Sequence, residues 1–406
     1  MELIQKLKDP SVWDAFYAYK EATGNIHKKT LQELKTLIVT EQYRPVVENI
    51  ESGIGFGAPR KSEISRTQTE KKRIVYTYCE LENWVLKLLT WLLQRKYDGI
   101  FAECLYSFRP NKGVREAVKR LTATKNIWNM WSYKVDIHNY FNDIPVDKLL
   151  PLLEGILKDV PQTYAFCRDL LLNPLVNDHG TLIQEKKGIM AGTPLSAFLA
   201  NVYLMEMDIH FQNAGICYIR YADDIIVFDE TEQKVNNHAE TIHTFLHRYG
   251  LQINPKKQAL VSPGRAWTFL GFTYEQGRVD IAEVSAGKLK AKLRRKVRAL
   301  KRWQARKGTS GENAAKAFVR VVNKKLYQNS ATHEITWTRW YFPIINTDRT
   351  LKILDRYIQD NIRYLVTGTR TKSAYNVRYE DIKQLGYVSL VHEYYALKKE
   401  KDHPVR

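Results

Sequence analysis

Residues 218–228, YIRYADDIIVF, limit what this chain can fold into more than any other stretch. Two β-rich apolar runs flank Ala222-Asp223, so the local pattern is strand, tight turn, strand. Such a hairpin sets two adjacent carboxylates, Asp223 and Asp224, at its tip. Neighbouring negative charges repel, and an apolar hairpin normally excludes them. Two readings remain open for the pair alone. It is a polar turn of the kind Asp favours, or it is a ligand set for a divalent cation, because hard oxygen donors are what Mg²⁺ takes. A second element bears on the choice. The run Tyr133-Lys134-Val135-Asp136 reads as a strand that ends on an acid and continues into Ile137-His138-Asn139-Tyr140-Phe141. Alone, Asp136 reads equally as a helix N-cap. Three carboxylates at neighbouring strand ends can instead hold two metal ions roughly 3.5–4 Å apart, one activating an attacking hydroxyl and one clamping a leaving pyrophosphate.

Charge points the same way. The 406 residues carry 63 Lys and Arg against 44 Asp and Glu, a formal net charge of +19. A folded protein bearing that much self-repulsion is matched to a polyanionic partner. The four cysteines (79, 104, 167 and 217) lie far apart without a CxxC pair. That spacing excludes a disulfide scaffold and a sequence-legible zinc site, and fits a reducing cytoplasm. His243 and His247 are four apart, but Thr244 follows the first, so there is no HExxH motif. The amino-terminal residues lack the apolar core of a signal peptide, and the most apolar stretch, 84–93, is interrupted by Lys87 and too short to span a bilayer. The expectation is a cytoplasmic nucleic-acid-binding protein without a membrane partner.

Along the chain, residues 1–50 carry helical spacing at Leu31, Leu34, Leu37 and Ile38. Residues 52–73 turn to Gly, Ser, Thr and basic side chains, as in a loop or hairpin that meets charge. β-like runs at 133–137, 217–221, 225–228 and 268–272 alternate with helices, which predicts an α+β core. The best cut lies near 280–287, around Gly277 and Gly287. Residues 288–307 hold Lys and Arg at eleven positions and no acid. There Leu289, Leu293, Val297 and Leu300 form the apolar stripe of an amphipathic helix, whose other face suits a phosphate backbone. Trp337, Trp340, Tyr341, Tyr394 and Tyr395 stack bases or pack the helices, with packing the preferred reading.

These elements together resemble the reverse transcriptases. Asp136 with Phe141, the loop Gly188-Ile189-Met190-Ala191-Gly192-Thr193-Pro194, and Tyr221-Ala222-Asp223-Asp224 occur in the order of a reverse transcriptase palm. Leu105-Tyr106-Ser107-Phe108-Arg109-Pro110 resembles the SxGFRP element of bacterial, group II intron-like members. Gly250-Leu251 through Asn254-Pro255-Lys256-Lys257 resembles the motif whose lysine meets the nucleotide phosphates. Phe269-Leu270-Gly271-Phe272 resembles the element that supports the primer end. Six elements in order, over roughly residues 55–280, do not arise by chance. The chain departs from the family where Met190-Ala191 replaces the frequent Pro-Gln. Val366-Thr367-Gly368 spells a retron triplet but lies too far past Phe272 to carry that role.

The resemblance implies a right-hand polymerase fold: an N-terminal helical extension (1–50), fingers and palm with an antiparallel sheet flanked by helices (51–284), then a basic helical thumb and C-terminal region (285–406). It implies catalysis by Asp136, Asp223 and Asp224, with Ile137 beside them in a site for two Mg²⁺ ions, or Mn²⁺. It implies nucleotide contacts from Lys72 or Arg73, Phe141, Gly192 and Lys257, with Phe141 filling the space of a ribose 2′-OH and so favouring dNTPs. Primer and template would meet Arg109, Tyr221, Phe269, Leu270, Gly271, Arg294, Arg295 and Arg298. The stretch after Leu270 is sized for a thumb and not for further nuclease or integrase domains. The layout and residues 385–391 are most similar to the second class of defence-associated reverse transcriptases, which implies cDNA synthesis on a partner noncoding RNA against bacteriophage. The competing expectations are a retron or intron-type mobile-element enzyme, an RNA-dependent RNA polymerase, and a non-catalytic RNA-binding scaffold.

Overall fold

Short apolar runs bounded by turn residues become strands here, and the intervening 3.6-period stretches become helices. In the computed structural model, which describes residues 2–24, 26–65, 72–327 and 336–402, the strands are β1 (Arg60–Ser65), β2 (Lys72–Thr77), β3 (Trp131–Asp136), β4 (Leu175–Asp178), β5 (Thr181–Gln184), β6 (Cys217–Tyr221), β7 (Asp224–Asp229), β8 (Ala259–Val261), β9 (Trp267–Phe269), β10 (Phe272–Glu275) and β11 (Arg278–Ile281). The chain divides into two compact units, Met1–Thr23 with Lys28–Gly264, and Gly24–His27 with Arg265–Arg406.

The first unit holds two four-stranded sheets. One has the order β6-β7-β3-β8 and is antiparallel throughout. Its central strand β7 is buried from Ile225 to Phe228, the continuous apolar run expected of a strand covered on both faces. Helix Glu232–Arg248 packs across β3 and β7, and helix Met205–Asn213 packs on β6. The helix behind the glycine loop is two segments, Ser196–Tyr203 and Met205–Asn213, broken at Leu204. The other sheet has the order β2-β1-β4-β5, so the basic stretch 52–73 does contain an arm of a hairpin. Glu70 and Lys71 lie outside the described residues. The amino-terminal helices pack on helix Glu80–Lys96. There the Trp13 ring stacks on Tyr43 at 4.6 Å while its indole N–H donates to the Leu7 carbonyl at 2.8 Å.

The second unit opens with a β9-β10-β11 meander and continues as helices. The 268–272 run is not one strand. Phe269 pairs with Phe272 across a two-residue turn, with Leu270 at φ 51° and Gly271 at φ 86°. Gly277 sits in the β10–β11 turn, and Gly287 lies inside helix Glu283–Lys307. That helix buries Leu289, Leu293, Val297 and Leu300 against helices Gly311–Leu326 and Arg349–Thr367, and leaves Arg294, Arg295 and Arg298 exposed. Tyr394 is buried against Phe342, so it packs. No helix among the described residues is long and apolar enough to cross a membrane.

One buried acid ties the end of this unit together. Asp355, on helix Arg349–Thr367, accepts from the Tyr387 hydroxyl (2.5 Å), the Ser389 hydroxyl (2.6 Å) and the backbone N–H groups of Leu390 (2.8 Å) and Val391 (3.1 Å). It thereby caps helix Leu390–Asp402 from outside, satisfying donors that the helix cannot satisfy itself. Replacing Asp355 by Ala is expected to cost about 2–4 kcal/mol, from charge-assisted bonds lost inside the protein. Amide exchange in residues 390–402 should accelerate, and unchanged protection there would refute the anchor.

Candidate active site

The acid-bearing turn is built on a buried ion pair. β6 and β7 meet at Tyr221 and Asp224, leaving Ala222-Asp223 as a two-residue loop. Ala222 sits at φ 55°, a left-handed conformation that costs a non-glycine residue roughly 1–2 kcal/mol. Just before it, the Arg220 guanidinium is fully buried. Its Nε donates to Asp208 Oδ1 at 2.8 Å and its Nη2 to Oδ2 at 2.5 Å. The remaining donors reach the carbonyls of Ala222 and Asn201, both at 3.3 Å. The turn is also held from the side. The Ala222 N–H donates to Ser107 Oγ at 2.9 Å, and Ser107 Oγ donates to Asn201 Oδ1 at 3.1 Å. Backbone bonds from Tyr106 to Arg220 and from Arg220 to Cys104 close the brace.

The third acid arrives through strand pairing. β3 runs antiparallel to β7, so Asp136 stands opposite Asp224, and the Ile137 N–H donates to the Asp223 carbonyl at 3.0 Å. The Ile137 side chain is buried, so only its main-chain oxygen could serve a cation. Past β3, Ile137 bridges Ile253, and the Asn254 N–H donates to the Asp136 carbonyl. That register delivers the turn Pro255–Lys257, and Lys257 Nζ lies 2.5 Å from Asp136 Oδ2. Lys134 Nζ is 4.0 Å from Asp224 Oδ1. Burial, reinforced by the Asp136 charge, pushes the Asp223 carboxyl above the usual range. Burial pushes Asp224 up to about 6, opposed by Lys134 and reinforced by Asp223 and Asp136. Among the described residues, no group of three His, Cys, Asp or Glu closes on a point that could hold a metal ion. The donor set nevertheless fits Mg²⁺, which binds through one or two carboxylates completed by substrate phosphates rather than in an all-protein cage.

The glycine loop and Phe141 meet beside these acids. A Cβ on Gly188 would come within 2.5 Å of the Asn142 carbonyl oxygen and 2.6 Å of that of Phe141, so only glycine permits the approach. The Ile189 N–H donates to the Phe141 carbonyl at 2.9 Å. Gly192 lies against Val75 and Tyr76 of β2, where the Tyr76 N–H donates to the Ala191 carbonyl at 2.8 Å. Asn142 bridges the two, donating to the Ile74 carbonyl and accepting from the Ala191 N–H, both at 3.3 Å. The Phe108 ring stands between Phe141 (6.1 Å) and Tyr221 (6.4 Å).

Asp136, Asp223, Asp224, Lys257, Phe141, Gly192 and Tyr221 are thus gathered within the first unit. Arg73 is exposed on β2, and its charge acts on Asp223. Lys72 is placed by its backbone, opposite Ser65. Phe269, Leu270, Gly271, Arg294, Arg295 and Arg298 belong to the second unit. Arg109 is a correction. Its side chain is buried, and its donors go to the Asp98 carboxylate and to the carbonyls of Asp98, Ala102 and Leu105, leaving no face for primer or template. Its work is to hold the 98–109 segment. His243 Nε2 shares a hydrogen bond with the Tyr133 hydroxyl at 2.7 Å. Sequence reasoning missed Arg220, Asp208, Ser107, Asn201 and Asn142. Arg220 alone gave a signal, as a lone charge inside an apolar strand.

The raised Asp224 carboxyl has a stability cost of definite sign. A carboxyl whose folded-state pKa lies above its unfolded value favours the folded state when protonated, and that advantage is lost as pH rises through about 6. Asp224→Asn should therefore be more stable than the parent at pH 7.5 by about 1 kcal/mol, after discounting for partial exposure, and no more stable at pH 4. Equal melting shifts at both pH values would overturn this reading.

Comparison with known proteins fits this geometry. Residues 60–274 match the family model described as "Reverse transcriptase (RNA-dependent DNA polymerase)". Over 176 residues the chain is 24% identical to the "Retron Ec86 reverse transcriptase" of Escherichia coli, covering 42% of this chain and 51% of that protein. Over 171 residues it is 23% identical to the "Group II intron-encoded protein LtrA" of Lactococcus lactis subsp. cremoris, covering 41% and 28%. The chain thus spans about half the length of the first relative and little more than a quarter of the second. Among solved structures it is similar to apo telomerase from Candida Tropicalis, with a TM-score of 0.47 and 13% identity over 85% of this chain and 64% of that one. With the matched residues covering just over half of its length, this chain belongs to the reverse transcriptase family.

Proposed function

We propose that this chain is an RNA-directed DNA polymerase that copies a partner noncoding RNA into cDNA by two-metal-ion nucleotidyl transfer, in bacterial antiphage defence. The observation that carries the polymerase reading is the meeting of Asp136 with Asp223 and Asp224 at adjoining strand ends, with Lys257 alongside. Asp136, Asp223 and Asp224 would hold the ions, with the main-chain oxygen of Ile137 beside them. When bound, two Mg²⁺ ions supply activation of the primer 3′-hydroxyl and neutralisation of the leaving pyrophosphate. The rest falls to the chain. Phe141 stands where a ribose 2′-OH would go, and Gly192 lets the loop backbone approach the nucleotide. Lys257, with Lys72 or Arg73, faces the triphosphate. Tyr221, the Leu270-Gly271 turn and the exposed Arg294, Arg295 and Arg298 serve primer and template.

All three acids are present at adjoining strand ends, which favours catalysis over an RNA-binding scaffold. Asp223→Asn or Asp136→Asn should abolish primer extension with labelled dNTPs, by about a thousandfold or more, because several kcal/mol of charge stabilisation is lost. Near-normal incorporation by either folded variant would sink the two-metal reading.

The defence assignment rests on the likeness of layout and of residues 385–391 to defence-associated enzymes. The matches to a retron and an intron-encoded protein favour a mobile-element enzyme as the second reading. Phosphate contacts alone carry no sequence information, so selection of one template calls for a folded RNA that fits by shape. Purified from its host at high salt, the protein should retain one dominant noncoding RNA and cDNA copied from a defined segment of it. Recovery without RNA, with equal copying of any primed template, would overturn the dedicated-partner reading.

A further inference from the structure

The ion pair between Lys257 and Asp136 is unusual for its asymmetry. Asp136 is buried, its side chain 7% exposed, while the Lys257 side chain is 46% exposed at the end of a flexible stem. The lysine reaches Asp136 from a short turn, 121 residues later in the chain. An acid buried beside two other acids cannot stand uncompensated, since removing a charge from water costs several kcal/mol. Among the described side chains, the other nearby cations are directed elsewhere. Lys134 approaches Asp224, and Arg73 acts on Asp223. Among the described side chains, Lys257 is therefore the one that balances Asp136.

We propose that Lys257 is a placeholder cation for Asp136, displaced by a metal ion only when a nucleotide triphosphate is there to receive the lysine. This rests on the polymerase reading and adds to it a coupling between metal and nucleotide. Before binding, Asp136 is paired with Lys257. When metal and nucleotide bind together, Asp136 pairs with the ion and Lys257 with a phosphate, so no charge is left unpaired on either side of the exchange. A metal ion arriving alone must break the pair without offering Lys257 a new anion. Metal binding is thereby weakened in the absence of nucleotide and restored in its presence. A lysine suits the task, being a point charge on a mobile stem rather than a planar fork locked to one carboxylate. The device also accounts for why a buried acid can persist beside two half-buried ones between turnovers.

The test is Mn²⁺ binding followed by electron paramagnetic resonance, with no turnover required. Lys257→Met and Lys257→Arg are compared with the parent, alone and with a non-hydrolysable dNTP analogue. Because Lys257 is half-exposed on a surface turn, both variants are expected to fold, which circular dichroism and thermal melting check. Without nucleotide, Lys257→Met should bind Mn²⁺ about five- to twentyfold more tightly than the parent, while Lys257→Arg should not. Adding the analogue should tighten Mn²⁺ binding more in the parent than in Lys257→Met. If Lys257→Met binds Mn²⁺ no more tightly than the parent, the exchange is wrong. Asp136→Asn separates the two levels of argument. If it weakens Mn²⁺ binding while Lys257→Met leaves binding unchanged, the metal site stands and the placeholder falls. If Asp136→Asn leaves Mn²⁺ binding unchanged, Asp136 is not a ligand and both fall.

Discussion

The buried pair of Arg220 and Asp208 is the interaction on which the site depends. Both side chains are fully enclosed, so neither can fall back on water. Removing one partner of such a pair strands the other charge, at a cost of about 3–5 kcal/mol. The pair does more than neutralise itself. Asp208 lies on helix Met205–Asn213, Arg220 on β6, and the spare guanidinium donors hold the carbonyls of Ala222 and Asn201. One rigid fork thus ties a helix, a strand, the acid-bearing turn and the preceding helix Ser196–Tyr203. Lysine could not replace it, because a single ammonium cannot present donors in several fixed directions at once.

Around that brace the protein concentrates negative charge where burial disfavours it. Asp223 and Asp224 both resist ionisation, and Asp136 is balanced by a side chain from a different turn. A fold selected for stability alone would place amides or apolar groups at these strand ends. The compensation comes from outside the cluster. Ser107 and Asn201 fix the turn through neutral hydrogen bonds, and the four-stranded sheet supplies an apolar platform in Ile225, Ile226 and Val227. Stability is provided by the sheet and spent at its edge.

The hairpin 218–228, the strand ending at Asp136 and the stripe of helix Glu283–Lys307 are legible in sequence because each is a short-range pattern with a fixed period. Lys257 is legible only through family likeness, and its pairing with Asp136 only through β-sheet register. Arg109 and Arg220 show where such reading stops. Both are arginines inside motifs, and sequence alone says nothing of whether a guanidinium is spent internally. Arg109 is committed to Asp98 and three carbonyls, and Arg220 to Asp208. Their acid partners lie 11 and 12 residues away, in elements whose packing no local pattern specifies. The 268–272 run misleads for the opposite reason. Its apolar composition suggests one strand, and a turn with leucine at its first position contradicts ordinary turn chemistry, which favours Asn or Gly there.

That leucine belongs to a set. Among the described residues, the non-glycine positions with positive φ are mostly polar types that tolerate a left-handed backbone, such as Asn111, Asn126 and Asn139. Four are apolar: Phe108 (φ 55°), Met190 (φ 58°), Ala222 (φ 55°) and Leu270 (φ 51°). They fall one apiece in four of the six elements that carry the family resemblance. Each conformation costs roughly 1–2 kcal/mol and persists only where the surroundings over-determine it. The surroundings do so at Ala222, through Ser107 and Arg220, and at Met190, whose N–H donates to the Lys187 carbonyl. Beside Leu270, the Gly271 carbonyl accepts from the Ala282 N–H and the Ser285 hydroxyl. Strain at one loop could be accidental. Strain of the same kind, carried by apolar residues in four of the six elements, means that these backbones are set by what they must approach and not by the preferences of their own side chains.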